Sequence, residues 1–112
     1  MQRRDVVIVA LPGDKPRPAL IVQSDELTQS ESIVVCPFTS GLEFASSHRV
    51  VIHPTPANGL RSASVLMVEK IQAVRRDKCS RAIGALALED MAAVEAQLAF
   101  ILGLGALGPS NP

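Results

Sequence analysis

Asp5-Val6-Val7-Ile8-Val9-Ala10-Leu11-Pro12-Gly13-Asp14-Lys15-Pro16-Arg17-Pro18-Ala19-Leu20-Ile21-Val22-Gln23 carries the strongest structural signal in the chain. Its opening run, Asp5 to Leu11, is β-branched and apolar and is closed by Pro12-Gly13-Asp14, which reads as a buried strand followed by a tight turn. A second apolar run, Ala19 to Gln23, starts only a few residues later, so the two predict an antiparallel hairpin with a short, proline-stiffened loop. Pro16 and Pro18 each fix φ near −65° and push the preceding residue away from helical backbone, which holds Arg17 extended where loop becomes strand. An arginine presented rigidly at a strand entrance suits a phosphate grip. A solvent-facing arginine beside a proline turn is the plain alternative, and the tripeptide alone does not choose between them.

Downstream, residues 25–32 (DELTQSES) are polar and fit either a helical turn or a loop. Ile33-Val34-Val35-Cys36-Pro37-Phe38 reads as a third strand, with Pro37 expected to end regular pairing because it cannot donate to a ladder. Thr39-Ser40-Gly41 would then make a polar turn at the strand's end. A small-residue loop leads to a fourth strand over His48-Arg49-Val50-Val51-Ile52-His53, and the turn-rich segment 54–64 (PTPANGLRSAS) to a fifth, Val65-Leu66-Met67-Val68. Lys70-Ile71-Gln72-Ala73-Val74 alternates polar and apolar, the mark of a strand with one wet face. Arg75-Arg76-Asp77-Lys78 is a charged turn, and Ala82-Ile83-Gly84-Ala85-Leu86 fits a last short strand.

The period then changes: Met91, Val94, Leu98, Ile101 and Leu102 follow the spacing of one helical face. Glu89 and Asp90 suit the positive end of that helix, Gly103 and Gly105 stop it, and Ala87 stands where a capping side chain would be expected. Six to seven short strands closed by one amphipathic C-terminal helix predict a mainly β (α+β) domain, a small bent barrel of the SH3-like kind. It is expected to span residues 1–105, with 106–112 a flexible tail.

Bulk properties narrow the function. The 112 residues suffice for one domain with a real core. With 47% hydrophobic residues and only three aromatics, all Phe, that core must be aliphatic. Eleven basic residues balance eleven acidic ones, which argues against a sequence-independent duplex DNA binder while leaving room for a local basic groove. Cys36 and Cys79 lie far apart with no Cys-x-x-Cys or Cys/His cluster, so neither a zinc site nor a disulfide framework is indicated, and no metal or cofactor is expected. A cytoplasmic, reducing setting is the economical reading. The apolar stretch near the N-terminus is too short for a signal segment, and no run approaches the ~18 residues of a membrane span. A mean hydropathy of +0.26 is high for a small monomeric domain and, with the helix stripe, predicts a two-fold homodimer.

No Gly-x-Ser-x-Gly, P-loop or His-x-x-x-His is present, and GLGALG at 103–108 follows a helix, so it is no dinucleotide fingerprint. His48 and His53 would point to opposite faces of a strand and make no metal pair. What remains is a set of polar residues at strand ends: Arg17 entering the second strand, Thr39 and Ser40 leaving the third, and Glu69 with Lys70 between the fifth and sixth. In a compact barrel the second and third strands are neighbours, which would bring guanidinium and hydroxyl together. Arginine clamps a phosphate bidentately and stabilises the added charge of a pentacovalent transition state. Such a pair suits metal-free RNA cleavage with the ribose 2′-hydroxyl as nucleophile. The general base stays open among Thr39, Glu69 and His48, the last two better matched by pKa.

In order and spacing, Arg4-Asp5-Val6-Val7, Lys15-Pro16-Arg17-Pro18-Ala19, Val35-Cys36-Pro37-Phe38-Thr39-Ser40, Asn58-Gly59-Leu60-Arg61-Ser62, Met67-Val68-Glu69-Lys70-Ile71 and Ile83-Gly84-Ala85-Leu86 resemble the MazF/PemK-type (Kid-like) toxins of type II toxin–antitoxin systems. The resemblance implies a homodimeric SH3-like barrel, metal-independent cleavage of single-stranded RNA, and neutralisation by a cognate antitoxin that covers the RNA groove. By motif, Arg17 matches the family's catalytic arginine and Thr39 its catalytic threonine. Ser40, Glu69 and Lys70 would face substrate, and Lys15 and Arg61 would contact phosphate. The connection ahead of Arg17 is shorter than is usual in the family, so no cleavage-site preference carries over, and Phe44 is the one loop aromatic left for stacking. A related fold serves CcdB-type toxins, which bind DNA gyrase and are not enzymes. That alternative and a catalytically silent binding barrel are the competing expectations, since fold alone does not fix function.

Overall fold

A computed structural model describes residues 1–27 and 29–106 of the chain. The expected hairpin is there: β1 (Asp5–Val9) pairs antiparallel with β2 (Arg17–Ile21), Val6 opposite Leu20 and Val9 opposite Arg17. The strands that follow are β3 (Ser32–Ser40), β4 (Val50–Ile52), β5 (Ser64–Leu66), β6 (Gln72–Arg75) and β7 (Gly84–Ala85), and the C-terminal helix α1 runs Leu88–Leu102. They form one antiparallel sheet in the order β4-β5-β3-β2-β1-β7, with β6 paired to β3 beside that path. The result is a curled half-barrel of seven strands with one helix.

β3 is the spine. Its first half pairs with β6 along one edge (Ser32–Arg75 to Val35–Gln72) and its last residues pair with β5 (Phe38–Leu66 to Ser40–Ser64). Its middle pairs with β2 along the other edge (Ala19–Pro37 to Ile21–Val35). β5 and β6 thus share one edge of β3, and the 3-10 turn Val68–Lys70 makes the corner between them. This corner bends the sheet. It also corrects the reading of Pro37, which sits inside a strand that runs on to Ser40. The Pro37 carbonyl accepts the Met67 N–H at 2.9 Å. In an antiparallel ladder a residue's N–H and C=O point to the same edge, so the missing donor of Pro37 faces the corner, where the neighbouring chain has left the ladder.

Other boundaries also move. The fourth strand is only Val50–Ile52, leaving His48 and Arg49 in the loop before it. Glu69 and Lys70 belong to the corner, and the sixth strand starts at Gln72. Of the polar segment 25–32, Asp25 and Glu26 form a turn and Ser32 already belongs to β3, and Gln23 ties the region down, its amide accepting the Val34 N–H at 3.1 Å and donating to the Leu27 carbonyl at 2.9 Å. Of the expected tail, residues 107–112 lie outside the described residues, and Ala106 ends a 3-10 turn, Leu104–Ala106.

The two sheet faces carry separate cores. On the first, Val6, Leu20, Cys36, Phe38, Leu66 and Leu86 pack with Met91 and Val94 of α1. On the second, Val7, Val9, Ala19, Ile21, Ile33, Val35 and Val74 form a smaller cluster. Each fully buried aliphatic side chain of this kind contributes about 1.5–3 kcal/mol. Met91 and Val94 are the fully buried part of the helix stripe, Leu98 and Ile101 pack partly against it, and Leu102, expected on the stripe, is 52% exposed. Ala87 makes no capping bond, while Gly103 adopts φ 73° and returns its N–H to the last turn of the helix.

Candidate active site

The alternation of β2 and β3 places Arg17, Ala19 and Ile21 on the second face, together with Val35, Pro37 and Thr39. The β2–β3 ladder ends at Ala19–Pro37, and two further residues of the same register put Arg17 opposite Thr39. Pro18 explains the stop. It presents its ring nitrogen toward β3 with no N–H to give, so the strands separate there, and Arg17 and Thr39 stand where the sheet splays.

Two clefts meet at this point. One, of about 470 Å³, lies against the second face and is lined by Val9, Ala19, Val35 and Pro37 with Lys70 and Gln72 at its far wall. The other, of about 750 Å³, opens round the strand ends to the first face and is lined by Ile8, Phe38, Ser40, Leu60, Arg61 and Ile83. Lys15, Arg17, Pro18, Thr39 and Phe44 line both. Together they make a groove wrapped round the ends of β2 and β3.

The charge of this groove is lopsided. Lys15, Arg17, Arg49, Arg61 and Lys70 line it, whereas of the chain's eleven carboxylates only Asp14 does. The zero net charge therefore hides a basic surface, and such a surface draws polyanions. Asp14 holds the Arg17 guanidinium, Nε to Oδ2 3.4 Å, and takes the Lys15 N–H at 2.9 Å. The hairpin loop thus presents Arg17 with a carboxylate companion.

Six of the seven residues expected at the site from sequence line the groove: Arg17, Thr39, Lys15, Ser40, Arg61 and Lys70. Glu69 does not. It lies in a neighbouring depression with Ser46, His48, Arg49, Phe100 and Ile101. Both its oxygens accept from Arg49, at 3.2 and 3.0 Å from Nε and 2.5 Å from Nη2. These hydrogen bonds hold the Glu69 carboxyl below the usual carboxylate value. A carboxylate so engaged is a weaker proton acceptor. His48 also lies outside the groove, its ring stacked on Phe100 with centroids 5.4 Å apart. Of the three residues weighed as general base, Thr39 alone lines the clefts.

Arg61 owes its place to the loop 54–63. Asn58, 2% exposed, folds this loop around its side chain, accepting the Thr55 and Leu60 N–H groups and donating to the His53 carbonyl. The Ala85 N–H fastens the loop to β7 through the Ala57 carbonyl. Arg49 and Asp14 are groove residues that sequence reasoning passed over. Asp14 had a signal, three residues ahead of Arg17; Arg49 had none, because its partner Glu69 lies on a distant element. Among the described residues no cluster of three or more His, Cys, Asp or Glu side chains is placed to hold a metal ion. No helix there is long and apolar enough to cross a membrane.

A curled antiparallel half-barrel with a basic, aromatic-edged groove round its strand ends defines a small β-barrel-like domain whose groove suits a polyanion. The model of the PemK-like, MazF-like toxins of type II toxin–antitoxin systems matches residues 2–102, and the chain belongs to that family. A relative described as a probable endoribonuclease MazF, from Mycolicibacterium smegmatis (strain ATCC 700084 / mc(2)155), is 38% identical over 107 residues, covering 93% of this chain and 98% of that protein. Among solved structures, a mycobacterial endoribonuclease in complex with its cognate antitoxin superposes with a TM-score of 0.80 at 21% identity, over 93% of this chain and 96% of that one. The Mycobacterium tuberculosis toxin MazF-mt6 gives 0.75 at 23%, over 89% and 97%. A MazE–MazF structure from Deinococcus radiodurans gives 0.77 at 18%, over 92% and 95%. The expectation of a mainly β, SH3-like barrel of six to seven strands with one C-terminal helix agrees with these folds, and the ribonuclease expectation is favoured over the gyrase-binding one.

Proposed function

We propose that the chain is the toxin of a toxin–antitoxin module and an endoribonuclease that cuts single-stranded RNA without a metal ion. The observation that carries this reading is that Arg17 and Thr39, at the ends of β2 and β3, both line the two clefts of one basic groove. In the reaction the ribose 2′-oxygen forms a bond to the adjacent phosphorus and the bond to the 5′-oxygen breaks. The proton of the 2′-hydroxyl leaves to a base and the 5′-oxygen gains one, so a 2′,3′-cyclic phosphate and a 5′-hydroxyl result. Arg17 stabilises the charge of the phosphorane, and Thr39 contacts the phosphate or the 2′-hydroxyl. Lys15, Ser40, Arg61 and Lys70 hold the flanking backbone. The toxin works in the cytoplasm as a homodimer, and its cognate antitoxin silences it by covering the groove.

The test is incubation of the purified protein with a long RNA in EDTA, in parallel with supercoiled DNA and gyrase. RNA cleavage by the wild type and a loss of at least about a hundredfold in Arg17→Ala are expected, the size of an oxyanion-type donor. Full RNase activity and growth arrest in Arg17→Ala would sink the catalytic assignment. Inhibition of gyrase without RNA cleavage would replace the reading with the binding one. Light scattering is expected to give a dimer at micromolar concentration, and a stable monomer would refute that part.

A further inference from the structure

The groove has one aromatic edge. Of the three Phe residues, and with no Trp or Tyr in the chain, Phe38 is 1% exposed in the core and Phe100 stacks on His48 outside the groove. Phe44 is half exposed and lines both clefts beside Arg17 and Thr39. It ends the 3-10 turn Leu42–Phe44. That turn starts from Gly41 at φ 104°, a backbone that disfavours side chains.

A three-residue turn on an exposed loop has little to fix it, yet this one is bolted down. Arg49 Nη1 donates to the Phe44 carbonyl at 3.0 Å while Nε and Nη2 of the same guanidinium grip Glu69. Glu69 belongs to the corner Val68–Lys70, whose Val68 is fully buried against the core. Three arms of the guanidinium fork are therefore spent on protein partners. Although it lines the first cleft, Arg49 acts as a brace between turn and corner, a use that needs the planar fork and that lysine does not reproduce.

We propose that Phe44 is the platform on which the nucleobase next to the cleaved phosphate stacks, and that Arg49, gripped by Glu69, is the positioning residue that holds it there. The inference rests on the ribonuclease reading and adds to it which base contact sets the cut-site preference. Stacking of a base on an aromatic ring accounts for roughly five- to hundredfold in single-strand affinity and falls largely to zero when the ring is removed.

The experiment compares wild type, Phe44→Ala, Phe44→Trp, Arg49→Lys and Arg49→Gln. It reads kcat and KM separately on one short single-stranded RNA, cut-site distribution on a long RNA, and thermal melting of each protein. Phe44→Ala is expected to raise KM about tenfold or more and flatten the cut-site distribution, with kcat changed far less, and Phe44→Trp to restore both. Arg49→Lys and Arg49→Gln are expected to broaden the distribution in the same way while keeping a folded melt. Should an Arg49 variant fail to fold, the Phe44 pair decides. Folded variants with the wild-type KM and cut sites overturn this inference and leave the ribonuclease reading standing. A wild type that cuts no RNA overturns both.

Discussion

In the proposed reaction, Asp14 is the carboxylate that Arg17 would leave when a phosphate arrives. The pair is solvent-exposed, with Arg17 Nε 3.4 Å from Asp14 Oδ2, and exposed pairs contribute about 0–1 kcal/mol. Asp14→Asn removes the groove's one carboxylate and the competitor for the guanidinium. RNA binding is therefore expected to tighten by up to about fivefold, measured by anisotropy on a non-cleavable single strand at two salt concentrations. Unchanged or weaker binding would mean that Asp14 orients Arg17 more than it competes for it. The cysteines make a second case. Burial, with Glu69 nearby, pushes the Cys36 thiol up to about 12, and burial also raises the half-buried Cys79. Thiol reagents are expected to reach Cys79 slowly in the native protein and Cys36 only after unfolding; equal labelling of both would contradict the packing. At this scale, sequence revealed what is local. Arg17 announced itself through its flanking prolines, whereas Arg49 could not, because the carboxylate that defines its role arrives on another element twenty residues later.

Among the elements, the hairpin β1–β2 and the change to a helical period after Leu86 were legible because each is written in a contiguous pattern. The length of β3 was not. Pro37 looks like a terminator in one dimension, and only the corner Val68–Lys70 shows where its missing donor is harmless. The loop 54–63 likewise looks like slack chain until Asn58 closes it and β7 receives it. Gly84 is the tight point: a Cβ there would run into the Asn58 backbone and lie 2.5 Å from the Ala57 carbonyl oxygen. Gly84→Ala is expected to cost about 1–3 kcal/mol, lowering Tm by roughly 4–15 °C, and to weaken RNA binding as well because the same loop carries Arg61. Calorimetry with a binding assay checks both, and a wild-type Tm would show that loop and strand can part without strain.

For the molecule as a whole, zero net charge conceals a division between a basic groove and carboxylates placed elsewhere. Two of those carboxylates, Glu69 and Asp77, are held below their usual values first by hydrogen bonds from Arg49 and Arg75. A group whose folded pKa lies below its unfolded one gives its full stabilisation above the unfolded value and loses it as pH falls through the folded one. Denaturant midpoints are therefore expected to stay level from pH 7 to about 5 and to fall below about 4. Glu69→Gln is expected to lower the neutral plateau slightly and flatten the acid slope, the effect being small because the pair is partly exposed. An acid slope identical to wild type would assign the loss to other groups.

The seam between β1 and β7 joins Asp5 to Ala85, residues from near opposite ends of the described chain. The hairpin beside it closes over a short loop, but this seam cannot form until most of the chain has been gathered, and distant contacts of that kind usually come late in folding. β7 is two residues long, so little holds it early. The strain introduced by Gly84→Ala is thus expected to be felt after the rate-limiting barrier, leaving the refolding rate near wild type and placing nearly all of the loss in faster unfolding. Stopped-flow chevrons would display it as a shift of the unfolding arm alone. The half-barrel would then be a molecule that opens first at the seam it closes last, releasing the loop that carries Arg61.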